Sequence, residues 1–256
     1  MPLVVFNQKG GVGKSTITCN LAAISASQGL RTLVIDLDPQ GNSSSYLQGK
    51  QATAEQPNIA GLFEHALSYS YRVVPPDKFV IPTPHEGLHL MASSPSLSEL
   101  TTKLESRQKI YKLREALQQL SKDYERIYID TPPAFNFYTR SALVAANGCL
   151  IPFDCDEFSR QALYTLLDNV SEIRADHNPK LQVKGIVVNQ FQARAKLPQR
   201  MVDALLAEGL PVLQPYLSSS VRIRESHELA LPMIYLDPQH KLTQCFVALH
   251  TALGPL

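Results

Sequence analysis

Residues 8 to 16 read Gln8-Lys9-Gly10-Gly11-Val12-Gly13-Lys14-Ser15-Thr16, and no other segment restricts the fold as strongly. Glycines at 10, 11 and 13 let the backbone curl until successive N–H groups point inward, a cradle for phosphate oxygens. Lys14 supplies a point charge for β- and γ-phosphates, and the Ser15 hydroxyl suits a Mg²⁺ ion. A helix starting here aims its positive end at the same anion. The common pattern G-x-x-x-x-G-K-[ST] fails by one position, because Gln8 stands in the first glycine slot, and a second lysine, Lys9, follows it. A string K-G-G-x-G-K-[ST] arises by chance in a chain this long with a probability of about 10⁻⁵ to 10⁻⁴. The flanks agree: Leu3-Val4-Val5-Phe6 reads as a buried strand, and Ile17, Leu21 and Ile24 recur at helical spacing up to a stop near Gly29.

Beyond the loop, strands and helices alternate. Leu33 to Asp36, Leu88 to Met91, Ile127 to Asp130, Cys149 to Phe153 and Val183 to Asn189 read as buried strands, with Val212-Leu213 a short addition. A short helix is predicted from Ile59 to Leu67 and one long helical region from about Ser96 to Leu120; residues 43 to 86 are otherwise hard to read. This alternation predicts an α/β fold, a doubly wound and mostly parallel sheet of the P-loop NTPase kind, with residues 1–256 forming a single domain. A 44% apolar chain of 256 residues can fill such a core. No stretch reaches the roughly 18 apolar residues of a membrane span, and the chain opens so close to its first strand that neither a signal peptide nor an N-terminal DNA-reading module is expected. Cys19, Cys149, Cys155 and Cys245 show no metal-finger spacing and fit reduced thiols of a cytoplasmic protein.

Net charge is +1 but unevenly placed. Residues 174 to 224 carry net +5 and the remainder −4, which points to a local basic face built from Arg194, Lys196, Arg200, Arg222 and Arg224. Acids mark the strand ends. Asp130 closes an apolar strand, where a carboxylate holds Mg²⁺ through a water. Asp36 and Asp38 lie two apart and point the same way if the segment is still extended. Asp38, deeper in the Pro39-Gln40-Gly41-Asn42 turn, is the candidate for orienting the attacking water, with capping of that turn as the alternative.

The K-G-G-V-G-K-S-T loop, the D-L-D-P-Q-G-N segment and the I-D-T-P-P strand end together resemble the ParA/MinD family of deviant Walker A ATPases, a likeness running from Leu3 to about Asp237. The resemblance implies ATP and Mg²⁺ as cofactors and a homodimer that encloses two nucleotides. It implies that Lys9 reaches the partner's phosphates and is catalytic together with Lys14 and Asp38. Gly10, Gly11, Val12, Gly13, Lys14, Ser15 and Thr16 then bind nucleotide, with Ser15, Asp38 and Asp130 around the metal. Gly185 to Asn189 resembles the strand whose terminal Asn reads adenine. Withholding a catalytic cation until a second subunit arrives makes hydrolysis conditional on assembly, as with an arginine finger.

The same resemblance implies an ATP-switched positioning protein on non-specific nucleoid DNA, discharged by a ParB/McdB-like adaptor. Overall likeness, including Phe153-Asp154-Cys155-Asp156, points to the carboxysome-positioning (McdA-like) branch, with plasmid or chromosome partition the alternative. A MinD-like membrane protein would need a basic amphipathic C-terminus. Here Leu242, Phe246 and Leu249 form a core-facing stripe beside a single lysine, Lys241, so no membrane partner is expected. A metallocluster carrier would need cysteines after the Asp130 strand, and Cys149 and Cys155 flank a different one. Two departures stand out. Leu217-Ser218-Ser219-Ser220 replaces the Ile-Pro-Arg-Asn of many partition ATPases, and Asp154-Cys155 replaces a usual Gln-Pro.

Overall fold

The computed structural model describes residues 1–49, 56–68, 74–156 and 159–254. Its strands are β1 (Pro2–Val5), β2 (Thr32–Asp36), β3 (Ile81–Pro82), β4 (Leu88–Met91), β5 (Arg126–Asp130), β6 (Gly148–Asp154), β7 (Gln182–Asn189) and β8 (Val212–Leu213). The helices are α1 (Lys14–Ser27), α2 (Asn42–Gln48), α3 (Ile59–Leu67), α4 (Leu97–Ser106), α5 (Lys112–Leu120), α6 (Phe137–Ala145), α7 (Ser159–Asp176), α8 (Lys196–Ala207), α9 (Val221–Glu228), α10 (Met233–Leu236) and α11 (Lys241–Leu253).

The strands make one sheet in the order β3-β4-β2-β5-β1-β6-β7-β8, parallel except for the edge strand β3. Side chains alternate across it. Val4, Leu33, Ile35, Ile127, Ile129 and Ile151 join the core under α3 to α8. Leu3, Val5, Val34, Tyr128 and Leu150 join the core under α1 and α11. Both faces are covered, so the central strands read as unbroken apolar runs. The helix after β1 covers one face and the helix after β5 the other, which opens a crevice at the C-terminal ends of these neighbouring strands.

The predicted strands and α3 appear where expected. The region from Ser96 to Leu120 is two helices rather than one. Helix α4 ends in a turn with Gln108 at φ +52° and the Lys109 N–H bonded to the Leu104 carbonyl at 3.0 Å. The run Glu105-Ser106-Arg107-Gln108-Lys109 offers no apolar side chain to the sheet, so nothing holds a continuous helix down. Helix α2 lies at the start of the stretch that is hard to read from sequence. Ser43 and Ser44 are poor helix formers, and they sit there because their hydroxyls bond Asp130 (2.7 Å) and Asp36 (2.8 Å). The hard-to-read region also includes residues 50–55 and 69–73, which lie outside the described residues.

Leu242, Phe246 and Leu249 of α11 are buried against α1, as their spacing predicts. Among the described residues, no helix is long and apolar enough to cross a membrane. Cys19 and Cys149 are buried, whereas Cys155 and Cys245 are only partly covered.

Candidate nucleotide site

The loop after β1 is braced from three sides. The Asn7 amide donates to the Pro152 carbonyl at 2.7 Å, and its oxygen accepts the Lys9 N–H at 2.8 Å. From the end of β7, Asn189 Nδ2 donates to the Val12 carbonyl (2.9 Å) and Gln190 Nε2 to the Gly11 carbonyl (3.0 Å). Gly13 has φ +93°, and a Cβ there would lie 2.3 Å from Asn189 Nδ2, so the position tolerates only glycine. Gly13 also starts α1, whose first turn has no side-chain cap, leaving its N–H groups directed at the crevice.

Two adjoining cavities meet at this loop. The larger, about 500 Å³, is walled by Gly10, Gly11, Gly13, Lys14, Ser15 and Thr16, and by Asp38, Tyr46 and His227 from elsewhere. The smaller, about 200 Å³, shares Gly11, Gly13 and Thr16 and is closed by Asn189, Ser218 to Ser220, and Arg224. A phosphate-wide chamber thus leads into a base-sized one. Val12 turns its side chain into the protein, fully buried, and lines neither cavity; only its main chain serves the site. The Lys14 ammonium is buried, donates to the Lys9 carbonyl at 3.0 Å, and lies near Asp38 and Asp130. Burial lowers its pKa and those two carboxylates oppose the shift. A buried cation beside open amides fits a polyphosphate.

Asp36 and Asp130 lie side by side in register at the ends of β2 and β5, and both are fully buried. Burial, then the neighbouring Asp130 carboxylate, raises the Asp36 pKa. Burial raises that of Asp130 too, while Ser15 and Ser43 hydroxyls and the Lys14 charge work against it. Asp38 goes elsewhere. Its N–H bonds the Asp36 carboxylate at 3.1 Å, which turns the chain, so the two aspartates do not share a direction as an extended segment would require. Asp38 lines the large cavity, and its oxygen also accepts the Gln40 N–H at 3.0 Å, so it both caps the turn and faces the site. The oxygen donors Ser15 and Asp38 on the wall, with Asp130 bonded behind them, suit a hard cation such as Mg²⁺.

Lys9 is not part of either cavity wall. Its ammonium bonds Asp154 at 2.7 Å and also Asp156, both just beyond the core of β6. These are the acids of the unusual Phe153-Asp154-Cys155-Asp156 segment.

Of the basic residues, Arg194, Lys196 and Arg200 are exposed around the start of α8. Arg222 does not join them as a free cation. Arg222 pairs with Glu225 (2.6 Å) and Asp237 (3.5 Å), acids just past the segment whose charge was counted. Arg224 is exposed like those three and also lines the smaller cavity. Sequence reasoning also missed Asn7, Tyr46 and His227. Asn7 immediately precedes the loop, a detectable signal; the other two arrive from 30 and more than 200 residues away with no motif to mark them.

The profile of the AAA domain family matches residues 2–183. The chain is 32% identical over 249 residues to a chromosome partitioning protein ParA of Myxococcus xanthus, covering 96% of this chain and 85% of that one. Its fold is similar to apo McdA of Cyanothece, with a TM-score of 0.85, 24% identity and 99% of both chains covered. It is likewise similar to cobyrinic acid a,c-diamide synthase of Mycobacterium smegmatis with a bound ATP analogue and magnesium, at a TM-score of 0.84 and 24% identity, over 98% of this chain and 93% of that one.

Proposed function

The chain belongs to the ParA/MinD family of P-loop ATPases, and from that premise we propose that it is a Mg²⁺-dependent ATPase, one domain over residues 1–256, that dimerises on ATP and positions a cargo along non-specific nucleoid DNA in the cytoplasm. The observation that carries this reading is the split between its two lysines. Lys14 is buried in the phosphate chamber, whereas Lys9 lies outside it on a partly exposed side chain paired with Asp154 and Asp156, from which it would have to be released to reach a second subunit. Gly10 to Thr16 hold the phosphates, Ser15 and Asp38 face the metal with Asp130 behind, and Asn189 closes the base end. Bound Mg²⁺ would supply neutralisation of phosphate charge. Asp38 orients the water for in-line attack, and the buried Lys14 stabilises charge on the phosphoryl oxygens. An adaptor of the ParB/McdB kind triggers the step.

Partition of a chromosome or plasmid is the cargo that sequence supports, through 32% identity to a partition protein over nearly the whole chain. Carboxysome positioning rests on a likeness of fold to McdA. The protein that co-purifies with the ATP-locked form separates the two.

Asp38→Ala provides that form. It is expected to keep ATP binding and the dimer while lowering hydrolysis by about 10² to 10⁴, the range for losing a positioned acid–base group. Wild-type turnover would remove Asp38 from the role.

DNA binding tests the output. ATP with Mg²⁺ is expected to produce binding to random duplex and ADP is not, because only the dimer carries two copies of the basic face. With two or three phosphates neutralised per subunit, the log–log salt slope is about −4 to −5. Replacing Arg194, Lys196 and Arg200 shrinks that slope, while Arg222→Ala, its charge already held by Glu225 and Asp237, leaves it nearly unchanged. Equal DNA binding in ATP and ADP, or liposome binding in its place, refutes the DNA switch.

A further inference from the structure

Helix α9 crosses the seam between the two cavities. Arg224 reaches the base-sized one and His227, one turn later, the phosphate chamber. The imidazole Nε2 lies 3.0 Å from the Thr16 hydroxyl. Its ring meets Tyr46 edge-on, with centroids 4.4 Å apart and planes at 64°. Tyr46 is itself fixed, since its hydroxyl accepts from Asn20 Nδ2 at 3.2 Å and bonds Ser226, the residue before His227. Asn20 in turn donates to the Thr16 carbonyl (2.8 Å) and accepts the Met233 N–H (2.9 Å). Three helices, α1, α2 and α9, thereby meet at the Tyr46 hydroxyl, one residue away from the imidazole that lies beside Thr16. The Thr16 bond and the Tyr46 contact restrict the exposed imidazole, so it has less rotamer freedom to lose when a ligand arrives.

Thr16 belongs to both cavities. A nucleotide with its terminal phosphates in the large chamber and its base in the small one must pass this residue with the group that joins them, the 5′-phosphate on the ribose. We infer that His227 is a nucleotide-contact residue of this chain, its Nε2–H donating to the α-phosphate once Thr16 turns its hydroxyl to the same group. The inference rests on the nucleotide-binding reading above and adds to it a residue from outside the phosphate loop. The contact is made to ATP and ADP alike, so His227 acts on nucleotide affinity and not on the γ-phosphoryl step.

The test is calorimetry on the full-length protein with Mg²⁺ and either ATP or ADP, using three variants. His227→Ala is expected to weaken both nucleotides by the same factor, about tenfold to a hundredfold, the range for losing a hydrogen bond to a charged group. His227→Phe keeps a ring against Tyr46 without the donor and should show the same loss, which guards against an alanine variant that fails to fold. His227→Gln carries an amide N–H at similar reach and should recover most of the affinity. Unchanged ADP and ATP affinity in the phenylalanine variant overturns the assignment, and so does a loss confined to ATP, which would put the contact at the γ-phosphate. A glutamine variant as weak as phenylalanine also overturns it, since shape and not the donor would then matter. If the wild-type protein binds neither nucleotide, it is the ATPase reading that fails, a result separate from these.

Discussion

Lys14→Ala is expected to abolish ATP-dependent dimerisation and to weaken nucleotide binding by at least about a hundredfold, with hydrolysis lost in proportion. The size of the effect follows from where this ammonium lies. It is buried at the floor of the phosphate chamber, bonded to the Lys9 carbonyl and facing two carboxylates. Removing it leaves Asp38 and Asp130 as the nearest charges to an incoming polyphosphate, so an attraction becomes a repulsion in a site partly shielded from water. Light scattering with ATP would report a monomer at every concentration tested. An ATP-induced dimer in this variant would mean that the loop amides and Mg²⁺ suffice, and that Lys14 is dispensable for assembly.

The second large effect belongs to Lys9. Its alanine variant should bind ATP as a monomer within a few-fold of wild type, because its ammonium lies outside the chamber wall. Stimulated hydrolysis should nevertheless fall by about 10³ or more, the scale for a cation delivered across an interface. Complementation makes the direction of delivery visible. A mixture of Lys9→Ala and Asp38→Ala protomers, each inactive alone, contains dimers in which one site has an intact Asp38 and receives Lys9 from its neighbour. Such mixtures should regain a measurable part of wild-type turnover. If Lys9 serves its own subunit, no mixed dimer has a complete site and the mixture stays inactive.

Much of this site was legible in the chain because it is local. The strand, loop and first helix are contiguous, and Asp36, Asp130 and Asn189 each end an apolar run whose burial places it at one edge of the sheet, with Asp38 in the turn just after the first of them. What was not legible depends on register or on long-range packing. The divergence of Asp36 and Asp38 turns on a single side-chain bond to the Asp38 N–H. Helix α2 forms despite its serines because two buried aspartates accept the Ser43 hydroxyl and the Ser44 hydroxyl and amide. Arg222 looked like part of a basic face until α9 and the turn after α10 brought Glu225 and Asp237 to it. His227 needed α9 to be laid over the phosphate loop, which no spacing within α9 announces.

Lys9 sits with Asp154 and Asp156 in the single subunit. On the reading in which it crosses to a partner, assembly is a substitution and not an addition, since one set of anions must release the ammonium before another can take it. The exchange gives the cycle a restoring force. While the partner's γ-phosphate is present, the stronger and more concentrated charge wins the lysine. Once that phosphate departs, the two carboxylates at the end of β6 compete on better terms and draw it home. The dimer would then come apart because of something each subunit carries within itself, so that the lifetime of the assembled state is set partly by two acidic residues that never touch the nucleotide.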